Sequence, residues 1–409
     1  MLKEVNSSVF TLTDLRIDQS LKAIFKTAIE LNFPVALWRL PLTDEINLIV
    51  DLSGKSKEVK PELEALPNGF IAHPFNSEGS TPARFISADL IYSSQGQSLK
   101  VNPVFKDTHT TELFFQALQL NQKTSTCSSL FHQPNTGQPH LTSKDEFVSN
   151  VKSGIEQIRD GVFKKVVLSR TKPLELSASF DLIEKFNALC DAYPGAFVNL
   201  VSLPTIGTWL GATPELLVSQ NKQGIFKTVS LAGTQKAEAN TVPLEIGWTQ
   251  KEIEEQAYVG RYIIDCFKKI RLREFDEEGP KTTKAANLYH LKSEYRVDTK
   301  AVNFPQLASV MLELLHPTSA VCGMPKTPAL EFILDIERHD RSFYAGFLGP
   351  VNVNQESHIY VNLRCMQLFK SMAVLYAGAG ITEHSKPEKE WLETDMKCNT
   401  LLDVFDCNN

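Results

Sequence analysis

The chain has 409 residues, of which 42% are hydrophobic and 22% are charged, a composition typical of a globular protein with a large core. Its formal net charge is −6, and the sequence contains no basic block suited to a phosphate backbone. Nucleic acid is therefore excluded as an expected partner, whereas length alone leaves the number of domains open.

Cysteine spacing and hydropathy indicate the cellular compartment of the chain. Its seven cysteines are an odd number without a CxxC pair, which argues against a disulfide framework or a structural zinc site. The N-terminus lacks an apolar signal segment, and no run approaches about eighteen uninterrupted apolar residues. We expect reduced thiols, no membrane contact and a cytoplasmic location.

The first part of the chain is predicted to be scaffold. Residues 1–120 alternate helix-like segments, such as DQSLKAIFKTAIEL, with strand-like runs such as PVALWRL and INLIVDL. Residues 121–141 are polar and rich in turn formers, which indicates a loop or a connection between subdomains. Neither segment contains a cluster of catalytic residue types.

The remainder reads as a mixed α/β or α+β protein. Ser143 and Glu146 fit a capping box at the start of an amphipathic helix over residues 143–161. A strand beginning at Lys165, a further helix and four closely spaced strands follow, and this spacing favours antiparallel pairing. A long helix is predicted over residues 248–272, with two more helices, the final strands and a closing acidic helix behind it.

Two of these helices carry paired carboxylates. Glu252 and Glu255 share one helix face, and Glu390 and Glu393 share another together with Lys397, because residues three or four apart in a helix are neighbours. Four glutamates without histidine or cysteine at ligand spacing suit a hard cation, and Mg²⁺ above all. On the pattern alone, solvated helix faces are the favoured interpretation of these glutamates.

Other candidate residues are ambiguous when they are taken singly. Lys165 opens an apolar strand and is also typical of a protected strand edge, while Glu215 follows the turn former Pro214 and is also suited to capping. His290 lies in strand-like sequence, where most histidines are structural. Arg364 interrupts an apolar alternation and, if buried, requires an anionic partner.

A glycine turn is predicted just before the closing helix. The strand-like run SMAVLYAG leads into Gly378-Ala379-Gly380, where a backbone without side chains can approach a small ligand. A dinucleotide fingerprint is excluded because the third glycine is missing and no helix follows directly.

Nine motifs in order resemble the chorismate-utilising enzymes over residues 143–402. They are KVVLSR, GTWLGATPELL, LAGT, KEIEEQ, HLKSEY, LHPTSAVCGMP, FYAGFLGP, VNLRCM and YAGAGITEHSKPEKEWLET. The family includes isochorismate, salicylate, anthranilate and aminodeoxychorismate synthases. Lys165 resembles the lysine of the water-adding branches, and Ala232 stands where aminodeoxychorismate synthases carry a lysine nucleophile. The isochorismate synthase branch is implied, for menaquinone or catechol-siderophore synthesis. Salicylate synthase stays the first alternative, followed by an aminating chorismate enzyme (an anthranilate or aminodeoxychorismate synthase component) and a non-enzymatic chorismate-binding protein.

The resemblance also implies roles for individual residues. Lys165 would be the general base that activates water, and Glu215 the general acid for the departing hydroxyl. Glu255 and Glu393 would bind Mg²⁺ directly, with Glu252 and Glu390 acting through water. The substrate contacts implied are Thr234, His290, Tyr344, Arg364, Gly378, Gly380 and Lys397.

The fold implied is α/β (α+β), a single large domain of layered antiparallel sheets flanked by helices, with the site in a central cleft. Residues 1–140 would complete the sheets, and residues 143–402 would form the catalytic region. Chorismate is the expected substrate, without a glutaminase subunit, and the chain is expected to be a monomer or a homodimer.

Overall fold

A computed structural model describes residues 3–6, 9–11, 16–76, 82–123, 130–236, 246–285 and 288–405. Two β-sheets and eight helices make up this part of the chain. Within these ranges, none of the helices combines the length and the apolar character that crossing a membrane requires.

The helices are α1 (Ile17–Glu30), α2 (His109–Asn121), α3 (Lys144–Arg159), α4 (Leu182–Ala192), α5 (Gln250–Lys269), α6 (Leu307–Leu315), α7 (Lys326–Ile336) and α8 (Pro387–Phe405). The strands up to the middle of the chain are β1 (Lys3–Asn6), β2 (Val9–Thr11), β3 (Val35–Arg39), β4 (Ile46–Val50), β5 (Lys57–Val59), β6 (Gly69–His73), β7 (Ala83–Ser87), β8 (Leu90–Ser93), β9 (Ser98–Val101), β10 (Lys165–Glu175), β11 (Phe197–Leu203) and β12 (Gly207–Thr213). The later strands are β13 (Leu216–Gln220), β14 (Ile225–Lys236), β15 (Asp276–Ala285), β16 (Leu288–Asp298), β17 (Gly323–Met324), β18 (Phe347–Val351), β19 (Ser357–Val361), β20 (Cys365–Leu368) and β21 (Met372–Ile381).

Each sheet draws strands from both parts of the chain. The 12-stranded sheet has the order β1-β2-β9-β8-β4-β3-β11-β12-β20-β21-β10-β17, and the 9-stranded sheet has the order β15-β16-β14-β13-β19-β18-β6-β7-β5. Strands of the N-terminal part pair directly with later strands, β3 with β11 and β6 with β18, and these pairs are antiparallel. The predicted α+β class with layered antiparallel sheets is confirmed.

Two apolar cores hold the layers together. One core lies between the sheets, where the rings of Phe197 and Tyr360 stack with centroids 4.2 Å apart. The other covers the outer face of the 12-stranded sheet and includes Phe25 of α1, Phe114 of α2 and Phe186 of α4. Burying alternate faces of the same strands against different partners explains their nearly continuous apolar runs.

The predicted glycine turn is wrong. Gly378 and Gly380 lie inside β21 and pair with Ser169 and Val167 of β10. Strand pairing continues through both positions, and neither glycine has a positive φ, so the glycines serve a close approach of neighbouring side chains instead. Because successive strand residues alternate between faces, both glycines lie on one side of the sheet.

The predicted capping box at α3 is only half formed. Ser143 Oγ accepts a hydrogen bond from the Glu146 N–H, as expected. The Glu146 carboxylate turns away from the helix start, because it accepts a hydrogen bond from His140 Nε2 at 2.8 Å. A complete box forms instead at α5, between Thr249 and Glu252.

The segment HIYVNLRCMQLF is not one strand, as its apolar alternation suggests, but two strands in different sheets. The chain leaves β19 in the 9-stranded sheet and enters β20 in the 12-stranded sheet, with Arg364 at the crossing in a left-handed conformation of φ 48°. A second crossing joins β12 to β13 through Pro214 and Glu215. Backbone hydrogen bonds from Ala212 N–H to the Arg364 carbonyl and from Val361 N–H to the Glu215 carbonyl, both 3.0 Å, connect the two crossings.

A buried ion pair supports the open edge of β10. Strand β17 pairs with β10 only at Lys165 and Val166, so the edge beyond needs other partners. Glu337 accepts a hydrogen bond from the Ser169 N–H at 2.6 Å, and Arg341 donates to the Val167 carbonyl at 2.7 Å. The guanidinium and the carboxylate also bond to each other twice, and both side chains are 3% exposed.

We expect Glu337→Gln to lower the free energy of unfolding by about 3–5 kcal/mol, because it leaves the buried guanidinium of Arg341 without its counter-ion. Asp265→Asn is the control, since the Lys268–Asp265 pair is 70% and 62% exposed, and its loss should cost less than about 1 kcal/mol. Urea denaturation measures both. Equal losses in the two variants would contradict the supporting role of the buried pair.

Candidate active site

A single cavity between the sheets gathers most of the predicted site residues. The predicted residues that line it are Lys165, Glu215, Glu255, His290, Tyr344, Arg364, Gly378, Gly380, Glu393 and Lys397. Glu252 and Glu390 lie outside this lining, and the side chain of Thr234, a residue of β14, lies outside the described part of the chain. The predicted central cleft is therefore present, with a volume of about 110 Å³.

Lys165 lies at the start of β10, and its side chain is buried against the neighbouring strand. A Cβ atom added at Gly380 would be 3.0 Å from Lys165 Cε and 3.5 Å from its Nζ. The lysine is only 6% exposed, so its ammonium or amine group faces the cavity and not the solvent. The missing side chain of Gly380 creates the space that the lysine occupies.

Glu215 is held at the sheet crossing between β12 and β13, and it is 7% exposed. Burial raises the pKa of its carboxyl to about 7, although the positive charges of Lys165, Lys397 and Arg364 act in the opposite direction. The group is therefore protonated in a substantial fraction of molecules near neutral pH. Such a carboxyl can donate a proton.

Helix α8 contributes an ion pair that touches the strand beneath it. Lys397 Nζ lies 2.7 Å from Glu393 Oε1 and donates a hydrogen bond to the Gly378 carbonyl at 2.8 Å. Arg364 Nη1 donates to the Thr400 hydroxyl at 3.1 Å and to the Lys397 carbonyl at 3.3 Å. No salt bridge joins Arg364 to a carboxylate of the described residues, although the charge of Glu393 acts on it, so its buried guanidinium is available to an anion in the cavity.

His290 is a neutral acceptor in the cavity wall. Its Nδ1 lies 2.8 Å from the Gly233 carbonyl, which can only accept, so the proton is on Nδ1. Burial lowers the pKa of the imidazole to about 3, and the charge of Arg364 acts in the same direction. Nε2 therefore carries a lone pair at neutral pH.

Aromatic rings form another wall of the cavity. Tyr344 stacks on Tyr376 with ring centroids 5.5 Å apart, and burial raises the pKa of both phenols. A Cβ atom at Gly378 would lie 2.8 Å from the Tyr344 hydroxyl, so this glycine makes room for the tyrosine. The aromatic pair and the two strand glycines thus shape the same side of the site.

The carboxylates near the cavity suit a hard cation. Glu255 of α5 and Glu393 of α8 both line the cavity, which is consistent with Mg²⁺, an ion usually held by one or two carboxylates together with water and substrate. Glu252 instead accepts hydrogen bonds from the Thr249 N–H at 2.7 Å and from Gln235 Nε2 at 2.9 Å, and Glu390 is buried in α8. Across the described ranges, no group of three or more His, Cys, Asp or Glu side chains has metal-ligand spacing.

Sequence reasoning missed several lining residues, most of them apolar. They are Val167, Pro214, Leu231, Ala232, Gly233, Ala320, Val321, Leu363, Tyr376 and Ala377. Seven of the ten adjoin a predicted residue or lie two positions from one on the same strand, whereas Leu231, Ala320 and Val321 do not. The alternation of strand faces was the signal that would have found Val167 and Tyr376.

Comparison with known proteins identifies relatives of the chain. The family model described as chorismate binding enzyme matches residues 83–406. The isochorismate synthase DhbC of Bacillus subtilis is 30% identical over 272 residues, which cover 63% of this chain and 67% of DhbC. The isochorismate synthase EntC of Escherichia coli K12 is 31% identical over 247 residues, which cover 59% of this chain and 62% of EntC.

Solved structures show the same fold. The menaquinone-specific isochorismate synthase MenF from Escherichia coli matches with a TM-score of 0.74 at 20% identity, over 97% of this chain and 93% of MenF. A putative 2,3-dihydroxybenzoate-specific isochorismate synthase, DhbC from Bacillus anthracis, matches with a TM-score of 0.69 at 25% identity, over 95% of this chain and all of that one. With a family model that spans most of its length, the chain belongs to the chorismate-binding enzyme family.

Proposed function

We propose that the protein is an isochorismate synthase, which converts chorismate to isochorismate in the presence of Mg²⁺. The observation that carries the proposal is the meeting of Lys165 and Glu215 in one cavity whose other charged groups suit a dicarboxylate and a cation. Two relatives that are named isochorismate synthases, at 30% and 31% identity, support the choice of reaction.

In the proposed reaction a lysine and a glutamic acid exchange protons with water. Lys165, in its neutral form, takes a proton from a water molecule as that oxygen bonds to C2 of chorismate. The ring double bonds shift, the C4–O bond breaks, and Glu215 gives its proton to the departing hydroxyl, which leaves as water. Atoms balance, since one water enters and one leaves. Lys165 ends protonated and Glu215 ionised, and proton exchange with solvent restores both.

The cationic groups of the cavity account for substrate binding. Chorismate has two carboxylates, and Arg364 and Lys397 offer a guanidinium and an ammonium at the same cavity. His290, with a lone pair on Nε2, is suited to accept a hydrogen bond from a ring hydroxyl. Ala232 lines the cavity and has no nucleophilic side chain, so a covalent lysine route is absent at this position.

Glu255 and Glu393 would hold the magnesium ion, with Glu252 and Glu390 acting through water. A bound Mg²⁺ would supply Lewis-acid stabilisation of negative charge on the substrate. Lys397 pairs with Glu393 at 2.7 Å and so limits the negative charge of this wall. The protein would provide the oxygen ligands on two separate helices, α5 and α8.

We expect Lys165→Ala and Glu215→Gln each to lower kcat about 10²–10⁴-fold, because each removes one partner of the proton transfers. Lys164→Ala is the control, since Lys164 is the exposed neighbour of Lys165. Chromatography of chorismate incubations with Mg²⁺ should show isochorismate as the main product. Salicylate with pyruvate, an ammonia-dependent product, or full activity in either variant would contradict the assignment.

The Glu215 carboxyl should make stability depend on pH. Its pKa is raised from 4.5 to about 7 in the folded protein, so the folded state binds more protons than the unfolded state between these values. The contribution of this group to the free energy of unfolding therefore falls as pH rises from 4.5 to 7 and is constant above. Urea denaturation at several pH values should show that the free energy of unfolding of Glu215→Gln rises relative to that of the wild type as pH increases over this window. A difference that does not change with pH would contradict the buried, protonated carboxyl.

Removing a metal carboxylate should weaken the response to magnesium. Activity should vanish with a chelator and return with added Mg²⁺, and Glu255→Gln and Glu393→Gln should require at least about tenfold more Mg²⁺ for half-maximal rate. Glu254→Gln is the matched control, because Glu254 is exposed next to Glu255 and bonds only to Gln250 among the described residues. An unchanged Mg²⁺ requirement in both ligand variants would exclude these carboxylates as ligands.

A further inference from the structure

A second cavity lies beside α6 and shares no lining residue with the candidate active site. It has a volume of about 950 Å³, and its floor consists of His73 of β6, His316 at the end of α6 and Phe347 of β18. The three rings form a compact cluster, with His73 stacked on Phe347 at 4.6 Å and both histidine rings 5.1 Å apart. Nothing in the proposed reaction uses these groups.

The two histidines share one hydrogen-bond acceptor. His73 Nδ1 lies 2.7 Å and His316 Nε2 lies 3.2 Å from the carbonyl of Pro74, which can only accept. Each of these nitrogens therefore carries the proton. Burial lowers the pKa of both imidazoles, to about 3 for His316, so both rings are neutral and the opposite nitrogens hold lone pairs.

These lone pairs have no donor in the part of the chain that the structure describes. The side chains are 7% and 9% exposed, and both residues line the cavity, so His73 Nε2 and His316 Nδ1 are acceptors that only a cavity ligand or water can satisfy. The ammonium of Lys326 donates to the backbone carbonyl of His316, and its charge acts to lower the pKa of that imidazole.

The rim adds negative charge to these acceptors. The lining contains the carboxylates of Glu62, Glu64 and Glu313 against the ammonium groups of Lys60 and Lys326, so three negative charges face two positive ones. The Glu64 carboxylate accepts hydrogen bonds from the hydroxyl and the N–H of Ser309, whereas Glu62 and Glu313 are exposed. A ligand that satisfies this wall must donate hydrogen bonds and carry positive charge.

We propose that this cavity is a binding site for a small organic cation with at least two N–H donors, an amine or amidinium that bonds to His73 and His316. The cavity wall that holds these two acceptors carries three carboxylates, which suits a ligand that combines N–H donors with positive charge. The active-site cavity, by contrast, exposes the cationic side chains of Arg364 and Lys397 and favours anions. The two sites therefore select ligands of opposite charge.

The floor of the second cavity continues into the wall of the first. His316 is four residues before Ala320, and Phe347 is three residues after Tyr344, and both Ala320 and Tyr344 line the active-site cavity. A ligand that holds His316 and Phe347 in place therefore acts on segments that line the active-site cavity, and the effect expected on chorismate rests on the proposed function. Binding at the second site should change the KM for chorismate, and by linkage chorismate should change the affinity for the cation.

Benzamidine is a suitable probe because its amidinium presents two parallel N–H donors on an aromatic ring, and benzamide is its neutral control. Isothermal titration calorimetry at pH 7.5 should detect one benzamidine per chain, with benzamide bound at least about tenfold more weakly. His73→Leu and His316→Leu should each weaken benzamidine at least about tenfold. His358→Leu is the control and should leave binding unchanged, since His358 bonds to Glu356 outside the cavity.

Nitrogen NMR of the wild type keeps the proposal testable if a histidine variant fails to fold. Benzamidine should shift His73 Nε2 and His316 Nδ1, which accept the new hydrogen bonds, far more than the nitrogens bonded to Pro74. Absence of binding, equal affinity for benzamide, or unshifted histidine nitrogens would overturn the site. Binding without any change in the KM for chorismate would leave the site standing and overturn the coupling.

Discussion

The site depends on the hydrogen-bonded pair of crossings between the two sheets. Thr213 Oγ1 donates to the Val361 carbonyl at 2.7 Å, beside the backbone bonds that join Ala212 to Arg364 and Val361 to Glu215. Where a chain passes from one sheet to the other, its backbone N–H and carbonyl groups lose their partners in the sheets. Here the two crossings supply hydrogen-bond partners to each other. Their side chains are thereby placed between the sheets, where water is largely excluded.

Exclusion of water determines the electrostatics of this cavity. Three cationic residues favour the ionised form of Glu215, and desolvation nevertheless raises the pKa of its carboxyl to about 7. The same burial keeps His290 neutral and lowers the pKa of the Arg364 guanidinium, which the charge of Glu393 offsets only in part. A dianionic substrate would supply negative charge to the cationic side chains of this cavity.

Buried contacts between secondary-structure elements hold the other functional side chains of the cavity in position. The Glu337–Arg341 pair supports β10, where Lys165 begins, and Lys397 ties α8 to β21 through the Gly378 carbonyl. Glycines in β21 admit the side chains of Lys165 and Tyr344 from the neighbouring elements. The functional groups thus come from strands, crossings and helices that are far apart in the chain and are fixed by buried contacts.

The amino-acid sequence by itself determined the fold class, the family and all six charged residues that line the active-site cavity. These residues could be identified because they belong to motifs, which are read along the chain without knowledge of long-range contacts. It also determined that Glu390, Glu393 and Lys397 share one helix face. Only the tertiary structure decided that the Gly378-to-Gly380 segment is a strand and that Arg364 lies at a sheet crossing. Local patterns report backbone preference and periodicity, whereas the choice of sheet for each strand depends on pairing partners distant in the sequence.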